Sequence, residues 1–314
     1  MAVPSSRTDT GPERCTGSTR RAGKTTGVVP RPSPGAHDPE PDAGPPASCV
    51  VFVHAHPDDE AIFTGGTMSQ LAAAGHRVVL VVATGGELGA ATEVGRDAAD
   101  LADRRRCETA AAAALLGIAR VVTLDYRDSG MAGDPANDHP GSFWSAAVDL
   151  AAKQVAAVLA EEGAVAAVGY DELGIYGHPD HVQVHRVAHR AAALAGVGTV
   201  YDATVDREHL HFVETHLVEE AALTGDLGLV RSRIGVPTVE ITTTVDVRRS
   251  LAVKRGAMAA HASQIPESTS ALLLPEHHFA DVYGWEWYVR WGPPGPLDGA
   301  ETGPRRPAGP VSLP

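Results

Sequence analysis

The chain has 314 residues, of which 43% are hydrophobic, and it carries a formal net charge of −13 at pH 7. This acidic balance argues against nucleic acid and anionic membrane surfaces as main partners, and no apolar run is long enough to predict a membrane span. The three cysteines form no CxxC pair, which disfavours a disulfide framework and a thiolate metal cage. No apolar signal-peptide segment follows Arg20-Arg21, so we expect a cytoplasmic protein.

The two ends of the chain differ in composition from its middle. Residues 1–47 are rich in Pro, Gly, Ser, Thr and Arg, and residues 293–314 are rich in Pro and Gly. Segments with so few large apolar side chains cannot bury enough surface to offset the entropy lost on ordering. We therefore predict disordered tails over 1–47 and 293–314, and one folded domain over 48–292.

Short β-branched runs alternate with Ala-rich stretches along the first part of this domain. The runs predict buried strands, at 49–55, 77–84, 120–126 and 164–171. The Ala-rich stretches predict helices, at 61–74, 97–116, 143–161 and 179–195. Such alternation is typical of an α/β fold with a mostly parallel, doubly wound sheet. Beyond residue 199 the pattern is less regular, and we expect strands in TVYDATV and VEITTTVDV and a helix near 247–262.

Unusual polar segments follow the carboxyl ends of the four predicted strands. In chain order they are HAHPDDE, TGGELG, YRDSGM and DELGIYGHPDH. Ligands of open parallel sheets bind outside this edge of the sheet. The four segments should therefore converge on one rim.

Two of these segments contain His-Pro-Asp at a predicted strand-to-helix corner. Composition alone predicts roughly one His-Pro dipeptide, whereas the chain has three, of which two continue to Asp. Proline in the first helical turn and Asp near the helix N-terminus would explain part of each corner by capping. Capping does not explain the adjacent acids Asp58, Asp59 and Glu60, nor the histidines that begin both corners.

A divalent metal ion would allow these groups to be buried together. Clustered carboxylates and imidazoles are costly to bury unless a cation lies among them. Imidazole and carboxylate ligands suit Zn²⁺, and catalytic zinc sites use three protein ligands plus water. The sequence offers five donors among which the spacing does not choose: His56, Asp58, Asp59, His178 and His181.

The segment HAHPDDE with the distant GHPDH resembles the LmbE-like (PIG-L) zinc-dependent de-N-acetylase superfamily, which has a Rossmann-like α/β fold. Supporting matches are TGGELG, RRRCE, YRDSGMAG and KRGAMAAHASQ, so that the resemblance spans residues 49–290. RDSGMAG together with GIYGHPDHVQVH is most similar to the branch that deacetylates the glucosaminyl-inositol precursor of mycothiol. The chain departs from that branch after residue 200.

The resemblance implies a set of metal ligands and a general base. The implied ligands are His56, Asp59 and His181, around one Zn²⁺ per chain, and Fe²⁺ or another divalent ion would suit the same donors. Asp58 would be the general base.

The resemblance also implies residues around that set. His178 would be the charged group facing the developing oxyanion, with Asp180 as its orienter, and Tyr176 would assist at the oxyanion. Arg105 and Asp128 match positions that contact the sugar conjugate. From the residues alone, Arg105 could equally be a solvated helix charge, and Asp128 could cap the turn in RDSG.

Chemical reasoning from the donor types indicates amide hydrolysis. An amide is a poor electrophile, so its hydrolysis needs an activated water and a stabilised oxyanion, which zinc and hydrogen-bond donors provide. We expect a deacetylase that removes the N-acetyl group of a small-molecule amino-sugar conjugate such as an N-acetylglucosaminyl-inositol. The alternatives are an amidase for a larger amide, such as a mycothiol S-conjugate, and a non-catalytic Rossmann-like module that binds a sugar or nucleotide. The sequence leaves open whether the protein forms a homo-oligomer.

Three histidines recur at four-residue spacing on one face of the last predicted helix: His181, His185 and His189. A helical site made of all three is conceivable, but the last lies two turns from the corner. We therefore interpret His185 as packing or supporting the site, and His189 as a surface residue.

Overall fold

The computed structural model describes residues 48–89, 98–216 and 234–299. Seven strands form one sheet: β1 Cys49–His54, β2 Arg77–Thr84, β3 Arg120–Tyr126, β4 Ala164–Tyr170, β5 Thr199–Thr204, β6 Thr243–Asp246 and β7 Trp285–Trp291. Their order in the sheet is β3-β2-β1-β4-β5-β7-β6. β1 to β5 are parallel, β7 is antiparallel to β5, and β6 is antiparallel to β7. The predicted α/β fold with a mostly parallel sheet is confirmed.

Helices connect the strands and cover both faces of this sheet. Their bounds are α1 Asp59–Phe63, α2 Gly65–Ala73, α3 Ala98–Leu116, α4 Val148–Glu161, α5 Gly174–Gly177, α6 Pro179–Ala195, α7 Arg207–His216, α8 Leu251–Ala260, α9 Ser270–Leu273, α10 Glu276–Tyr283 and α11 Pro296–Gly299. α2, α3 and α8 pack against one another, and α4 packs against α6. The chain moves from β1 first towards β3 and later towards β5, so right-handed crossovers place these two groups on opposite faces.

The central strands consist of continuous apolar runs because both of their faces are covered. Every residue of β1 is buried, and β2 is buried after its first residue. Strands with two buried faces have no polar alternation in their sequence. β3 lies at the sheet edge, and its residues accordingly alternate between half-buried and exposed. The bounds of these strands agree with the predicted ones to within one residue.

Two parts of the fold differ from the predictions. The helix expected over 61–74 is interrupted at Thr64, whose φ is −136° and whose hydroxyl lies 2.8 Å from His54 Nε2. This buried polar contact explains why the helix breaks there. Strand β7 was not predicted, because its buried residue Glu286 suggests a surface segment until its ion pair with Lys254, 2.6 Å away, is seen.

The folded domain continues past the boundary predicted at residue 292. The short helix α11 follows β7, and its Leu297 is completely buried. Asp298 accepts hydrogen bonds of 2.7 Å each from the Tyr201 and Thr243 hydroxyls. One apolar anchor and one carboxylate therefore hold a segment whose Pro/Gly-rich composition resembles that of a tail. The predicted tail over 1–47, and residues 300–314, lie outside the described residues.

No helix among the described residues is both long enough and apolar enough to cross a bilayer.

Candidate metal centre

The two His-Pro-Asp corners lie side by side because the strands before them are neighbours. β1 and β4 pair in parallel, so the chain leaves both strands at the same edge of the sheet. After β1 it enters α1 at Asp59, and after β4 it enters α6 at Pro179. A side chain at Gly174, between β4 and α6, would place its Cβ 2.6 Å from that of His181. Glycine there lets α5 pack closely against the second corner.

Three donor atoms from the two corners form a nearly equilateral triangle, which we call the donor triangle. His56 Nδ1 lies 3.4 Å from Asp59 Oδ2 and 3.3 Å from His181 Nε2, and the Asp59 and His181 atoms are 3.3 Å apart. All three side chains are buried. Ligands arranged tetrahedrally at about 2.0–2.1 Å from Zn²⁺ are separated by roughly 3.3–3.4 Å. The donor triangle therefore has the dimensions expected for three ligands of one ion.

Hydrogen bonding around the donor triangle directs the Nδ1 lone pair of a neutral His56 into it. His56 Nε2 donates to Asp180 Oδ2 over 3.3 Å, so Nδ1 is the unprotonated nitrogen when the ring is neutral. Burial works against the charged form of Asp59, but His181 and His56 hold the pKa of this carboxyl well below its usual range. Three electron-rich donor atoms this close together need either a proton or a metal cation between them. The residues present thus fit a divalent metal ion.

Two other groups of potential donors overlap the donor triangle at His56. One consists of His56, His178 and His181, and the other of His56, Asp128, His178 and Asp180, with one atom of each residue within 4.8 Å of the others. The contacts of Asp128 and Asp180 with His56 are on its Nε2 side. There the Asp180 carboxylate also accepts hydrogen bonds from the backbone and hydroxyl of Ser129. The donor triangle, on the Nδ1 side, is the set whose measured separations suit a single ion best.

Asp180 contacts a different histidine from the one expected. Its carboxylate accepts a hydrogen bond from His56, whereas its backbone N–H donates to His178 Nδ1 over 3.2 Å. Asp180 is the second residue of α6, so its N–H is free to donate to the residue that caps the helix. The side chain thereby orients His56 from the side opposite Asp59. Carboxylates behind metal-binding histidines have this arrangement.

The surroundings of His178 favour a neutral imidazole. Burial, together with the neighbouring imidazoles His56 and His181, lowers the pKa of His178. Its Nδ1 accepts the hydrogen bond from Asp180, so the proton of the neutral ring is on Nε2. The ring centroid lies 4.5 Å from that of His56 and 5.3 Å from that of His181. His178 can therefore donate a hydrogen bond beside the donor triangle without carrying a charge.

Asp58 lies between the first corner and a cavity of about 370 Å³, which Asp58, Asp59 and Tyr176 help to line. Its carboxylate forms an ion pair of 3.1 Å with Arg105 Nη2. Burial raises the pKa of Asp58 to about 6, with Arg105 acting in the opposite direction. The Tyr176 hydroxyl lies 3.3 Å from His181 Nε2, and burial raises its pKa, so it remains protonated. An acid–base group and a hydroxyl donor thus flank the donor triangle.

Arg105 and Asp128 are both bound to loop backbone rather than exposed to a ligand. Arg105 is only 3% exposed and donates to the carbonyl oxygens of Pro57 and Gly86. The oxygens of Asp128 accept hydrogen bonds from the backbone N–H groups of Gly130, at 2.8 Å, and Leu88, at 3.2 Å. These contacts fix the loops after β1, β2 and β3. Contact of either residue with a sugar stays a prediction.

Comparison with known proteins assigns this arrangement to a family. The family model described as PIG-L: GlcNAc-PI de-N-acetylase matches residues 51–192, which contain both corners. A relative from Thermomonospora curvata, named 1D-myo-inositol 2-acetamido-2-deoxy-alpha-D-glucopyranoside deacetylase, is 38% identical over 286 residues, covering 81% of this chain and 95% of the relative. The chain belongs to the PIG-L de-N-acetylase family. A relative of the same name from Acidothermus cellulolyticus is 40% identical over 257 residues, covering 76% of this chain and 87% of the relative. The resemblance inferred from the two corners is confirmed.

A solved structure supports the same fold for this PIG-L family member. The N,N'-diacetylchitobiose deacetylase from Pyrococcus horikoshii, in complex with an inhibitor, superimposes with a TM-score of 0.55. The alignment covers 79% of this chain and 85% of that chain at 23% sequence identity. At that identity the likeness shows the fold alone, and it agrees with the Rossmann-like architecture described above.

One buried pair that supports the PIG-L family site was not predicted from the sequence. His261, at the end of α8, lies 2.5 Å from Glu60 Oε1, and both side chains are completely buried. Glu60 Oε2 in turn accepts the backbone N–H of Asp58 over 3.0 Å. Glu60, the third acid of PDDE, stood out in the sequence as unexplained by capping. No spacing rule, however, pairs it with a histidine 201 residues away. The pair supports the corner from which Asp58 projects.

Proposed function

We propose that the protein is a zinc-dependent hydrolase that removes the N-acetyl group from an amino-sugar conjugate such as an N-acetylglucosaminyl-inositol. The observation that carries the proposal is the donor triangle, with separations of 3.3–3.4 Å, beside a carboxylate that lines a cavity. Relatives that are 38% and 40% identical are named for this reaction. The proposal includes the cytoplasmic location expected from the sequence.

In this proposal His56, Asp59 and His181 hold one Zn²⁺, and Fe²⁺ or another divalent ion would suit the same donors. Such an ion, when bound, polarises the amide carbonyl and activates water as a nucleophile at neutral pH. Asp180 keeps the His56 ring in the orientation that directs Nδ1 towards Asp59 and His181. This support matters because the nitrogen lone pair of a ligand ring that rotates no longer points at the ion.

Asp58 has the position of a general base. It is adjacent in sequence to Asp59 of the donor triangle but pairs with Arg105 and faces the cavity, so it is free to accept a proton from the attacking water. Arg105 acts indirectly in this proposal, by fixing the Asp58 carboxylate and the carbonyl oxygens of Pro57 and Gly86.

His178 and Tyr176 have the positions of oxyanion donors. The neutral His178 ring keeps one proton, on Nε2, and the Tyr176 hydroxyl keeps its proton at neutral pH. Both groups lie beside the donor triangle. When the carbon–nitrogen bond breaks, the departing amine takes up a proton. A neutral His178 that gave up its proton would become an imidazolate, so Asp58 returns the proton that it accepted from water.

The two alternatives raised by the sequence are not favoured. Neither the name of the family nor the names of the relatives indicate cleavage of a larger amide or a non-catalytic binding module. A non-catalytic module that has lost its metal site is also contrary to the structure, since all five donors anticipated from the sequence lie at one edge of the sheet.

The proposal is tested by measuring free amine released from N-acetylglucosaminyl-inositol by the full-length, metal-loaded protein. N-acetylglucosamine alone and a bulky S-conjugate amide serve as comparison substrates. We expect the highest kcat/KM for the inositol conjugate, by about tenfold or more, because binding energy from the remote ring contributes to the transition state. Turnover of the bulky amide alone would contradict the deacetylase proposal, and absence of turnover with every amide would favour a binding module.

A further inference from the structure

A second group of metal-binding side chains lies on the face of α6 that continues beyond the candidate metal centre. It consists of His185 and His189, one turn apart on α6, and Asp202 on β5. One potential ligand atom of each residue lies within 4.8 Å of those of the other two. We call this group the outer His-His-Asp cluster. The mechanism proposed above does not use it.

The carboxylate of the outer His-His-Asp cluster is held firmly in place. Asp202 is only 2% exposed, and its Oδ2 accepts a hydrogen bond of 2.7 Å from the Trp291 indole N–H. Its Oδ1 lies 2.8 Å from His189 Nε2, and His185 Nδ1 is 3.6 Å from Oδ2. Burial works against the charged form, but the neighbouring His185 and His189 imidazoles lower the pKa of Asp202. Asp202 therefore presents a fixed negative charge between two imidazoles.

Hydrogen bonding also fixes which nitrogen of His185 is available. His185 Nδ1 lies 2.9 Å from the Tyr170 carbonyl oxygen, which can only accept, so Nδ1 carries the proton. When the ring is neutral, its Nε2 therefore presents a lone pair. A histidine whose second nitrogen donates to a backbone carbonyl is the usual form of a metal ligand. The His185 and His189 ring centroids are 4.5 Å apart, so the two rings are direct neighbours.

The outer His-His-Asp cluster is accessible to an ion from solution. The side chains of His185 and His189 are 21% and 29% exposed, whereas Asp202 is buried beneath them. A second carboxylate, Asp171, lies nearby. Burial raises the pKa of Asp171, and the negative charge of Asp202 raises it further. The partly exposed rings can therefore rotate to receive an ion above the Asp202 carboxylate.

We propose that His185, His189 and Asp202 form a second binding site for Zn²⁺ or a related transition-metal ion. Two imidazoles and one carboxylate suit Zn²⁺, Ni²⁺ and Cu²⁺, and three protein ligands leave a position for water. The ion replaces the proton shared between His189 and Asp202. His185 Nδ1 lies 3.6 Å from Asp202 Oδ2 but donates to the Tyr170 carbonyl oxygen, so the His185 ring must turn to bind the ion, and we expect a lower affinity than at the donor triangle.

Tyr170 connects this second site with the candidate metal centre. Its carbonyl oxygen orients His185, while its ring stacks on the His181 ring with centroids 4.4 Å apart and an interplanar angle of 16°. Ligation at His185 therefore acts on a residue that contacts a member of the donor triangle. The proposal itself concerns only binding and does not depend on the hydrolytic function.

Equilibrium dialysis of the full-length protein against Zn²⁺, after removal of bound metal with a chelator, tests the second site. We expect two equivalents of Zn²⁺ in the wild-type protein, the second bound with a Kd about tenfold or more higher than the first. His189→Gln should retain only the first equivalent, because glutamine preserves a hydrogen-bond donor to Asp202 but is a poor zinc ligand. His139→Gln, which changes an exposed loop histidine, should still bind two.

A fluorescence titration with Cu²⁺ gives an independent measurement. The Trp291 ring lies 5.7 Å from the His189 ring, so Cu²⁺ bound at this site should quench its emission. We expect quenching in the wild-type protein that is at least halved in both His189→Gln and His185→Gln. Binding of a single equivalent of Zn²⁺ by the wild-type protein, or unchanged second-site affinity and quenching in the variants, would overturn the proposal and leave only a hydrogen-bonded cluster.

Discussion

Asp58 is held in a left-handed backbone conformation by neighbours on both sides. Its φ is 101°, a conformation that costs of order 1–3 kcal/mol for a residue other than glycine. Arg105 forms an ion pair with its carboxylate at 3.1 Å, and Glu60 accepts its backbone N–H at 3.0 Å. Backbone conformations of this kind persist where surrounding contacts enforce them, and they concentrate at active sites. The contacts here keep the carboxylate at the wall of the cavity.

Replacement of Asp58 by asparagine tests its assignment as the general base. Asparagine has nearly the same size and tolerates a positive φ, so Asp58→Asn should fold and retain its metal. It cannot accept the proton, so we expect kcat for deacetylation to fall about a hundredfold or more. Metal content by mass spectrometry and free-amine release are the two measurements. Unchanged turnover would remove Asp58 from the mechanism.

Arg105→Lys separates an indirect role of this residue from direct contact with the sugar. A lysine cannot bridge the carbonyl oxygens of Pro57 and Gly86 and the Asp58 carboxylate at once, because it lacks the planar fork of donors. If Arg105 positions Asp58, kcat should fall about tenfold or more while KM changes little. Arg106→Lys, whose side chain is 56% exposed, is the matched control and should behave like wild type. A rise in KM at constant kcat would indicate direct substrate contact instead.

At the scale of elements, a buried ion pair joins α1 to the end of α8. Burial works against the charged form of His261, but the Glu60 carboxylate raises its pKa, so the pair is ionic. Breaking a buried pair by removing one partner leaves the other charge without compensation. Both residues of this pair, Glu60 and His261, should therefore be sensitive to substitution.

His261→Ala should lower the free energy of unfolding by about 3–5 kcal/mol, as measured by urea denaturation. His261→Gln keeps a donor to Glu60 and should lose less than His261→Ala does. A loss below about 1 kcal/mol for His261→Ala would show that Glu60 does not depend on this partner.

Glu162 connects the beginnings of two strands with the end of α4. It lies 2.5 Å from Arg77 Nε, at the start of β2, and 2.8 Å from Arg120 Nη1, at the start of β3. The hydrogen bond from Arg77, reinforced by Arg120, lowers the pKa of Glu162 below its ordinary value of 4.5. A depressed folded-state pKa contributes stability above the unfolded-state pKa, and this contribution is lost as the pH falls through the folded-state pKa.

Comparison of Glu162→Gln with wild type measures this contribution as a function of pH. The difference in unfolding free energy should be constant above about pH 5.5 and shrink steadily as the pH falls below 4.5. Glu161→Gln is the matched control, since the Glu161 side chain is 62% exposed and its pair with Arg120 should contribute little. A difference that does not vary between pH 3 and 7 would contradict the assigned ion pairs.

At the scale of the whole molecule, the parallel strands and β6, which lies within VEITTTVDV, could be predicted, whereas the antiparallel strand β7 could not. The β-branched runs of β1 to β4 are buried on both faces, so each is recognisable from its own composition. β7 depends on partners elsewhere in the chain, because its buried Glu286 pairs with Lys254 and accepts the N–H groups of Gly66 and Thr67. Long-range pairing of this kind has no local signal.

The candidate site shows the same division between local and long-range information. The two corners are local motifs, and the order of parallel strands predicts that they meet. The Asp180 carboxylate binds His56 rather than the predicted His178, because this contact depends on which side chains face each other after folding. The pairing of Asp58 with Arg105 has the same origin. The charge of His178 facing the oxyanion stays a prediction.

Metal stoichiometry in His181→Gln and His178→Gln tests the donor triangle most directly. The account predicts one tightly bound equivalent of Zn²⁺ in the wild-type protein, its loss in His181→Gln, and its retention in His178→Gln with slower deacetylation. Chelation should abolish wild-type deacetylation, and added Zn²⁺ should restore it. A His181→Gln protein that keeps its tight equivalent, or metal-free protein that deacetylates at the wild-type rate, would contradict the account.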